Sequence, residues 1–350
     1  MAMVRYAAVL LAGLLCTALV NAQDVSICHK ERDKEERRQC YDRVSGYKEP
    51  TETTRPSGIL AELWGYDTNS AESRYRLSQY ERNYVTFDYT PDPNTMPQSP
   101  THPSSGGYPP VLDPVELGFQ LSAKARVLDL GPTKPGVYDE KDHYFGVWLA
   151  YTQQSFWQIF NGSQSSPFRE TDYQPEVIFA FRPNLFMTNP RFGDVDWRLL
   201  NVGLVHQSNG QSDPLSRSWN RIYAQFGFEK QDSNGGDWAL LLRPWYRFKE
   251  QPSKDDNPDI EQYLGHGDIR LLYRNGAVNF SFLGRGNVNT GKGAAQVDVA
   301  FPLALWKSDV LANYPFKWYM RLFSGYGESL IDYNVRQTTF SVGITLNDWP

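Results

Sequence analysis

A strict two-residue alternation constrains this chain more than any other feature. Val115, Leu117, Phe119, Leu121, Ala123, Ala125 and Val127 alternate with Glu116, Gly118, Gln120, Ser122, Lys124 and Arg126. Successive side chains on a strand point to opposite faces, so one face is apolar and the other polar. The pattern returns at Phe145–Tyr151, Leu200–Leu204, Ile222–Phe228, Ala295–Val299, Trp318–Leu322 and Phe340–Leu346. Counting these segments predicts an all-β protein with twelve strands, at 82–90, 114–127, 143–158, 172–186, 196–209, 218–231, 236–249, 260–274, 276–287, 293–304, 316–327 and 335–347. Two architectures accept such strands. In a β-sandwich the apolar faces turn inward; in a transmembrane β-barrel of the outer membrane they meet lipid, and the polar faces line the lumen.

Other features favour the antiparallel barrel. Arg5 precedes an apolar run from Tyr6 to Val20, and Val20-Asn21-Ala22 forms a signal-peptidase site, so 1–22 reads as a signal peptide. Mean hydropathy is −0.55, which does not exclude a barrel, because its strands average lipid-facing and lumen-facing residues. The 10 Trp, 21 Tyr and 19 Phe suit aromatic girdles at two membrane interfaces. A net charge of −5 argues against nucleic acid. Residues 23–75, with the charged run His29–Arg38, are expected to be a periplasmic extension, followed by a barrel domain over 76–350. After signal removal Cys28 and Cys40 remain, as a disulfide or as two thiols.

One stretch carries chemistry. His206 and Ser208 are separated by one residue, and a polar loop follows before Asn220. On a strand, His206 and Ser208 share a face with Cα atoms roughly 7 Å apart. If the chain turns back after Gly210, Asn220 can meet His206 from the next strand, giving nucleophile, base and orienting group. The parity of Leu200, Val202 and Leu204 puts His206 and Ser208 on the lipid face, and Ile222 and Ala224 do the same for Asn220. With periplasmic termini, these residues reach the outer rim. Polar groups facing lipid are costly without partners, and ester chemistry on lipid would account for them; a polar rim meeting headgroups is the plainer alternative. Gly286–Lys292 resembles a phosphate loop but lacks the following Ser or Thr, and His29, His102, His143 and His266 show no metal-ligand spacing.

The run His206–Arg221 resembles the active-site segment of the outer membrane phospholipase A family. So do Tyr151-Thr152-Gln153, Ser165–Thr171, Asp255–Asp259 and Ser324–Asn334, in family order. The resemblance covers about 143–348. It implies a calcium-dependent, twelve-stranded barrel that hydrolyses glycerophospholipid acyl esters (A1, A2 and lysophospholipid) as a homodimer in the outer membrane, with its active site toward the outer leaflet. By that resemblance Ser208 is the nucleophile, His206 the base, Asn220 the orienting residue and Gly210 an oxyanion donor. The Ca²⁺ ligands would be the Ser216 hydroxyl, the Gln211 carbonyl and the carbonyl of Ser165 of the partner subunit. Asp213 and Asp256 would form a second calcium site, and Gln153 a dimer contact. Three departures stand out: Gln211 replaces the family's usual Arg, the chain ends Trp349-Pro350 rather than in Phe, and the segment between Ser165 and His206 is longer. The alternatives from other classes are a non-catalytic porin or structural barrel, and a soluble β-sandwich esterase.

Overall fold

The computed structural model describes residues 58–64, 77–103, 108–109, 111–129, 145–183, 191–231, 236–303 and 316–346. The expected signal peptide and the Cys28–Cys40 pair lie outside them. Twelve long antiparallel strands close into a barrel: β2 (Tyr84–Tyr89), β3 (Val115–Asp129), β4 (Phe145–Trp157), β5 (Phe168–Phe181), β7 (Val195–Ser208), β8 (Ser218–Gln231), β9 (Gly236–Phe248), β10 (Gly267–Asn275), β11 (Val278–Asn287), β12 (Lys292–Pro302), β13 (Phe316–Tyr326) and β14 (Arg336–Leu346). Each pairs with its neighbour in sequence, and β14 closes onto β2 with Phe340 opposite Tyr89. The short β1 (Leu77–Gln79) lies on β3, and β6 (Arg191–Phe192) lies on β7. Closure leaves none of the twelve with an open edge, which lets a sheet cross hydrocarbon with its backbone polar groups paired.

The two faces settle the choice between sandwich and barrel. Along β3 the polar residues Glu116, Ser122, Lys124 and Arg126 are buried, whereas Leu121 is 52% exposed. The same inversion holds for buried Asp88, Glu176, Arg221, Asp268 and Arg321 against exposed Phe87, Leu149, Leu204, Ile269 and Leu322. A soluble sandwich would show the reverse; apolar outside and polar inside is the pattern of a lipid-facing barrel.

Buried lumen charges need partners. Arg243 pairs with Asp268 at 2.6 Å, and Arg270 pairs with Glu81. Arg321 reaches Asp88 at 3.3 Å and Glu328 at 2.9 Å. A polar cavity of about 170 Å³ remains between these side chains. At the other end of the lumen, a short helix α1 (Ile59–Trp64) packs inside the barrel against β7, β8 and β9. The Leu60 N–H donates to Glu229 at 3.1 Å, and Lys124 lies 4.1 Å from the centre of the Trp64 ring. These six residues fall within the expected extension 23–75, yet they form part of the barrel's core.

One strand prediction needs correction. The segment 260–274 does not form a single strand: Ile260–Leu264 is a helix, α2, and β10 starts at Gly267. Ile260, Tyr263 and Leu264 have the 0, 3, 4 spacing of a helix face, and Ile260 and Leu264 are fully or nearly fully buried. Their apolar content had been read at the wrong period. β5 also starts four residues earlier than expected, at Phe168.

Candidate active site

The loops between β2 and β3, β4 and β5, β7 and β8, β9 and β10, and β13 and β14 emerge at the same barrel end, because the strands are strictly antiparallel. His206 and Ser208 finish β7 at that rim. In the β7–β8 ladder His206 stands opposite Asn220, and Ser208 opposite Ser218. The His206 Nδ1 lies 2.8 Å from the Asn220 Oδ1. Ser208 shares their outward face; the structure does not close a hydrogen bond from it to His206. Such contacts are often long until substrate binds.

A residue that sequence reasoning missed fixes the polarity of this pair. The Asn220 Nδ2 donates to the Glu250 Oε1 at 3.1 Å. An ionised carboxylate only accepts, so the amide nitrogen must face Glu250 and the amide oxygen must face His206. His206 Nδ1 must then carry the proton, which leaves the Nε2 lone pair free to take one. Glu250 thus selects the imidazole tautomer a general base requires. It follows the end of β9, where no periodicity draws attention to it.

The loop 209–217 is held by Asn209, another residue the sequence did not single out. Its backbone N–H donates to the Arg217 carbonyl at 3.0 Å, and its side-chain Nδ2 donates to the Leu215 carbonyl at 2.8 Å. Its Oδ1 accepts from the Arg217 N–H at 2.9 Å and the Gln211 N–H at 3.3 Å. Inside the loop, Arg217 is fully buried and donates to the carbonyls of Ser216 at 2.6 Å and Pro214 at 3.1 Å. Asn209 also donates to Glu170 at 3.4 Å, tying the loop to a buried platform. There Arg169 bridges Glu116 and Asp332. Glu170 and Asp172 accept the Ile331 and Leu330 N–H groups, each at 3.0 Å. Gly210 has φ +64°, and a Cβ built on it would come 3.1 Å from the Tyr173 ring. Gly suits this left-handed turn, two residues after Ser208.

The expected metal ligands divide into three groups. Ser216 and Asp256 are in contact, the Ser216 hydroxyl donating to Asp256 Oδ2 at 2.6 Å. Gln211 is exposed on the same loop. Ser165 lies on the separate β4–β5 loop with φ +62°. The hydroxyl and carbonyl oxygens of Ser216, Gln211 and Ser165 form an all-oxygen set that fits Ca²⁺. Asp213 and Asp256 would add carboxylate oxygens, which Ca²⁺ also takes. His102, set aside on sequence spacing, brings a ring nitrogen into that cluster: ligand atoms of His102, Asp213 and Asp256 lie within 4.8 Å of one another.

Gln153 faces outward on β4. It stands opposite Tyr173 of β5, which stands opposite Ser208 of β7. At a strand spacing of about 4.8 Å, one row therefore links Gln153 to Ser208 over roughly 10 Å. Gln153 accepts from the Tyr151 hydroxyl at 3.1 Å and donates to Ser155 at 3.2 Å, so a polar stripe interrupts the lipid-facing surface here.

Comparison with known proteins agrees with this geometry. The sequence model of the family described as Phospholipase A1 matches residues 60–346. Phospholipase A1 of Escherichia coli (strain K12) is 40% identical over 279 residues, spanning 79% of this chain and 83% of that protein. The crystal structure of the Salmonella typhi outer membrane phospholipase dimer with bound calcium superimposes with a TM-score of 0.66 at 32% identity, covering 85% of this chain and 100% of that one. An E. coli outer membrane phospholipase A with an Asn-to-Ala active-site mutation gives a TM-score of 0.65 at 33% identity, with the same coverage.

Proposed function

The chain belongs to the phospholipase A1 family and is an outer-membrane acyl-ester hydrolase, and we propose that Ser208, His206 and Asn220 carry out its chemistry. The observation that supports this is the His206–Asn220 hydrogen bond at 2.8 Å on the outward face that also bears Ser208. A serine, base and orienting amide directed at lipid serve no purpose in a porin.

In this reading the Ser208 hydroxyl attacks an acyl carbonyl of a glycerophospholipid, and His206 Nε2 takes its proton. The carbonyl oxygen becomes an oxyanion and accepts from the Gly210 N–H. Collapse breaks the ester bond; the glycerol oxygen leaves with the proton from His206, and the acyl group stays on Ser208. Water then attacks the acyl-serine, His206 again takes the proton, and the fatty acid departs. The same steps act on either acyl position and on lysophospholipid. Ser216, the Gln211 carbonyl and Ser165 of the partner subunit would hold Ca²⁺, which when bound supplies positive charge to the developing oxyanion.

The need for a partner's oxygen makes the working form a homodimer, as the Salmonella relative crystallised. Gln153 would form its contact, because an amide in a lipid-facing stripe gains by pairing with its copy. The row from Gln153 to Ser208 would then set the active site at the subunit seam. With residues 1–22 removed as a signal and the termini periplasmic, that rim faces the outer leaflet. The test is phospholipid hydrolysis in detergent micelles with calcium or chelator. Wild type should release fatty acid only with calcium, and Ser208→Ala should release none; equal release by both proteins would refute the assignment.

A further inference from the structure

The barrel lumen offers more guanidinium donors than its carboxylates take up. Arg243, Arg270 and Arg321 line the 170 Å³ cavity, and each is ion-paired. Arg221 of β8 and Arg285 of β11 line the same cavity from two parts of the wall. Among the described residues neither forms an ion pair. Arg221 is only 9% exposed, and the Nε of each of the two is buried with no acceptor. Buried donors are rarely left so, and one that is calls for a water or an ion.

The neighbouring side chains do not supply the missing acceptor. The Arg221 guanidinium lies 3.7 Å from the centre of the Trp219 ring and 5.4 Å from that of Trp245. Stacking covers its faces and leaves the edge, which carries the N–H groups. Its Nη2 donates to Gln207 at 3.1 Å. Glu176, which shares a smaller hollow with Arg221, already accepts from Gln174 at 2.6 Å, Tyr223 at 2.8 Å and Tyr80 at 3.2 Å. Arg285 donates through Nη2 to the backbone carbonyls of Gly327 and Tyr326, so no carboxylate offsets its charge. Asp298, on the same cavity, is enclosed by Tyr319 at 2.6 Å and Ser281 at 2.7 Å. Asp172 belongs to the platform under the β13–β14 loop and accepts the Leu330 N–H at 3.0 Å.

The cavity is roughly ten times the size that admits one water. Its wall is a closed sheet, so a lipid headgroup tethered to acyl chains does not enter from the membrane. A guanidinium edge matches the oxygens of phosphate or carboxylate. Donors that arrive from two parts of the wall suit a tetrahedral ion, whose oxygens point several ways. We propose that Arg221 and Arg285 bind a free oxyanion of the phosphate class in the lumen. The ion would brace β8 directly behind the catalytic row. Arg221 follows Asn220 on the opposite face, and its acceptor Gln207 lies between His206 and Ser208. This site goes beyond the hydrolase reading and does not rest on it.

The test is equilibrium dialysis of radiolabelled inorganic phosphate against the full chain in a nonionic detergent. A chelator is present so that calcium does not hold phosphate at the rim. Wild type should bind about one phosphate per chain. Arg221→Gln and Arg285→Gln, each shown to be folded by its heat-modifiable gel mobility, should weaken binding by about 10-fold or more. Arg221→Lys and Arg285→Lys keep the charge where a neutral variant fails to fold; lacking the fork, they should weaken binding as well. No phosphate bound by wild type, or equal affinity in wild type and the folded variants, would overturn the proposal. So would displacement of the ion by phosphatidylglycerol added to the micelles, which would assign the phosphate to a headgroup. Ser208→Ala should bind phosphate like wild type, so failure of this inference and failure of the hydrolase reading give different results.

Discussion

Replacing Glu250 tests whether a carboxylate outside the triad sets its polarity. Glu250 acts on His206 only through Asn220, by one bond of 3.1 Å and another of 2.8 Å. Two contributions can be separated. The first is charge: with Glu250 on the order of 7 Å from the imidazolium that forms in the transition state and an effective dielectric of about 20–40, the attraction is roughly 1–2 kcal/mol. Glu250 is only half-buried, so the lower value applies, corresponding to roughly fivefold in kcat. The second is orientation: a hydrogen bond to a carboxylate contributes about 1.5–3 kcal/mol, and its loss lets the Asn220 amide turn its NH₂ toward His206. Glu250→Gln retains an acceptor and should cost about fivefold. Glu250→Ala loses both contributions, about 2.5 kcal/mol at the least, and should cost on the order of 70-fold or more. The assay is kcat for phospholipid hydrolysis in mixed micelles at saturating calcium. In the Asn220→Ala background, Glu250→Ala should have little further effect, because its route to His206 is gone. If Glu250→Ala costs the same factor with and without Asn220, the argument about tautomer selection is wrong.

Two further changes follow from the rim. Gly210→Ala puts a Cβ at φ +64° and 3.1 Å from the Tyr173 ring, so the turn should lose about 1 kcal/mol and its amide should shift away from Ser208; hydrolysis should fall on the order of 10-fold while the heat-modifiable gel mobility of the folded barrel is retained. Glu328, in the loop between β13 and β14, has its carboxyl pushed up by burial to about 7 against the opposing pull of Arg321. The folded state therefore holds this proton more tightly than the unfolded chain does, and stability is greatest below about 4.5 and declines as pH rises to about 7. Urea midpoints in detergent should show that decline in wild type and less of it in Glu328→Gln.

The barrel strands were legible because a period of two needs no tertiary information, only side chains on alternate faces. Which face meets water was not legible: Lys124 and Leu121 are equally compatible with a sandwich until their burial is known. The helix α2 was hidden because five residues hold too few turns for its period to stand out within a chain of strands. The lumenal position of α1 was hidden for another reason. Its partners, Glu229 and Lys124, are far along the chain and polar, and nothing local pairs them with Leu60 and Trp64.

The site divides along the same line. His206, Ser208 and Asn220 could be read because two share one strand and the third lies across one hairpin, so parity and register suffice. Glu250 could not, because it acts where separate elements meet at one end of a closed barrel. There a group with a single hydrogen-bonding option dictates the next group's choice: a carboxylate accepts, so Asn220 turns its nitrogen to Glu250 and presents its oxygen to His206. That chain of constraint prepares the His206 imidazole to accept a proton at Nε2. The rim is therefore better described as a Ser-His-Asn row whose polarity is set by a fourth group, Glu250, beside a loop stapled by Asn209, and the Glu250 experiment probes that polarity.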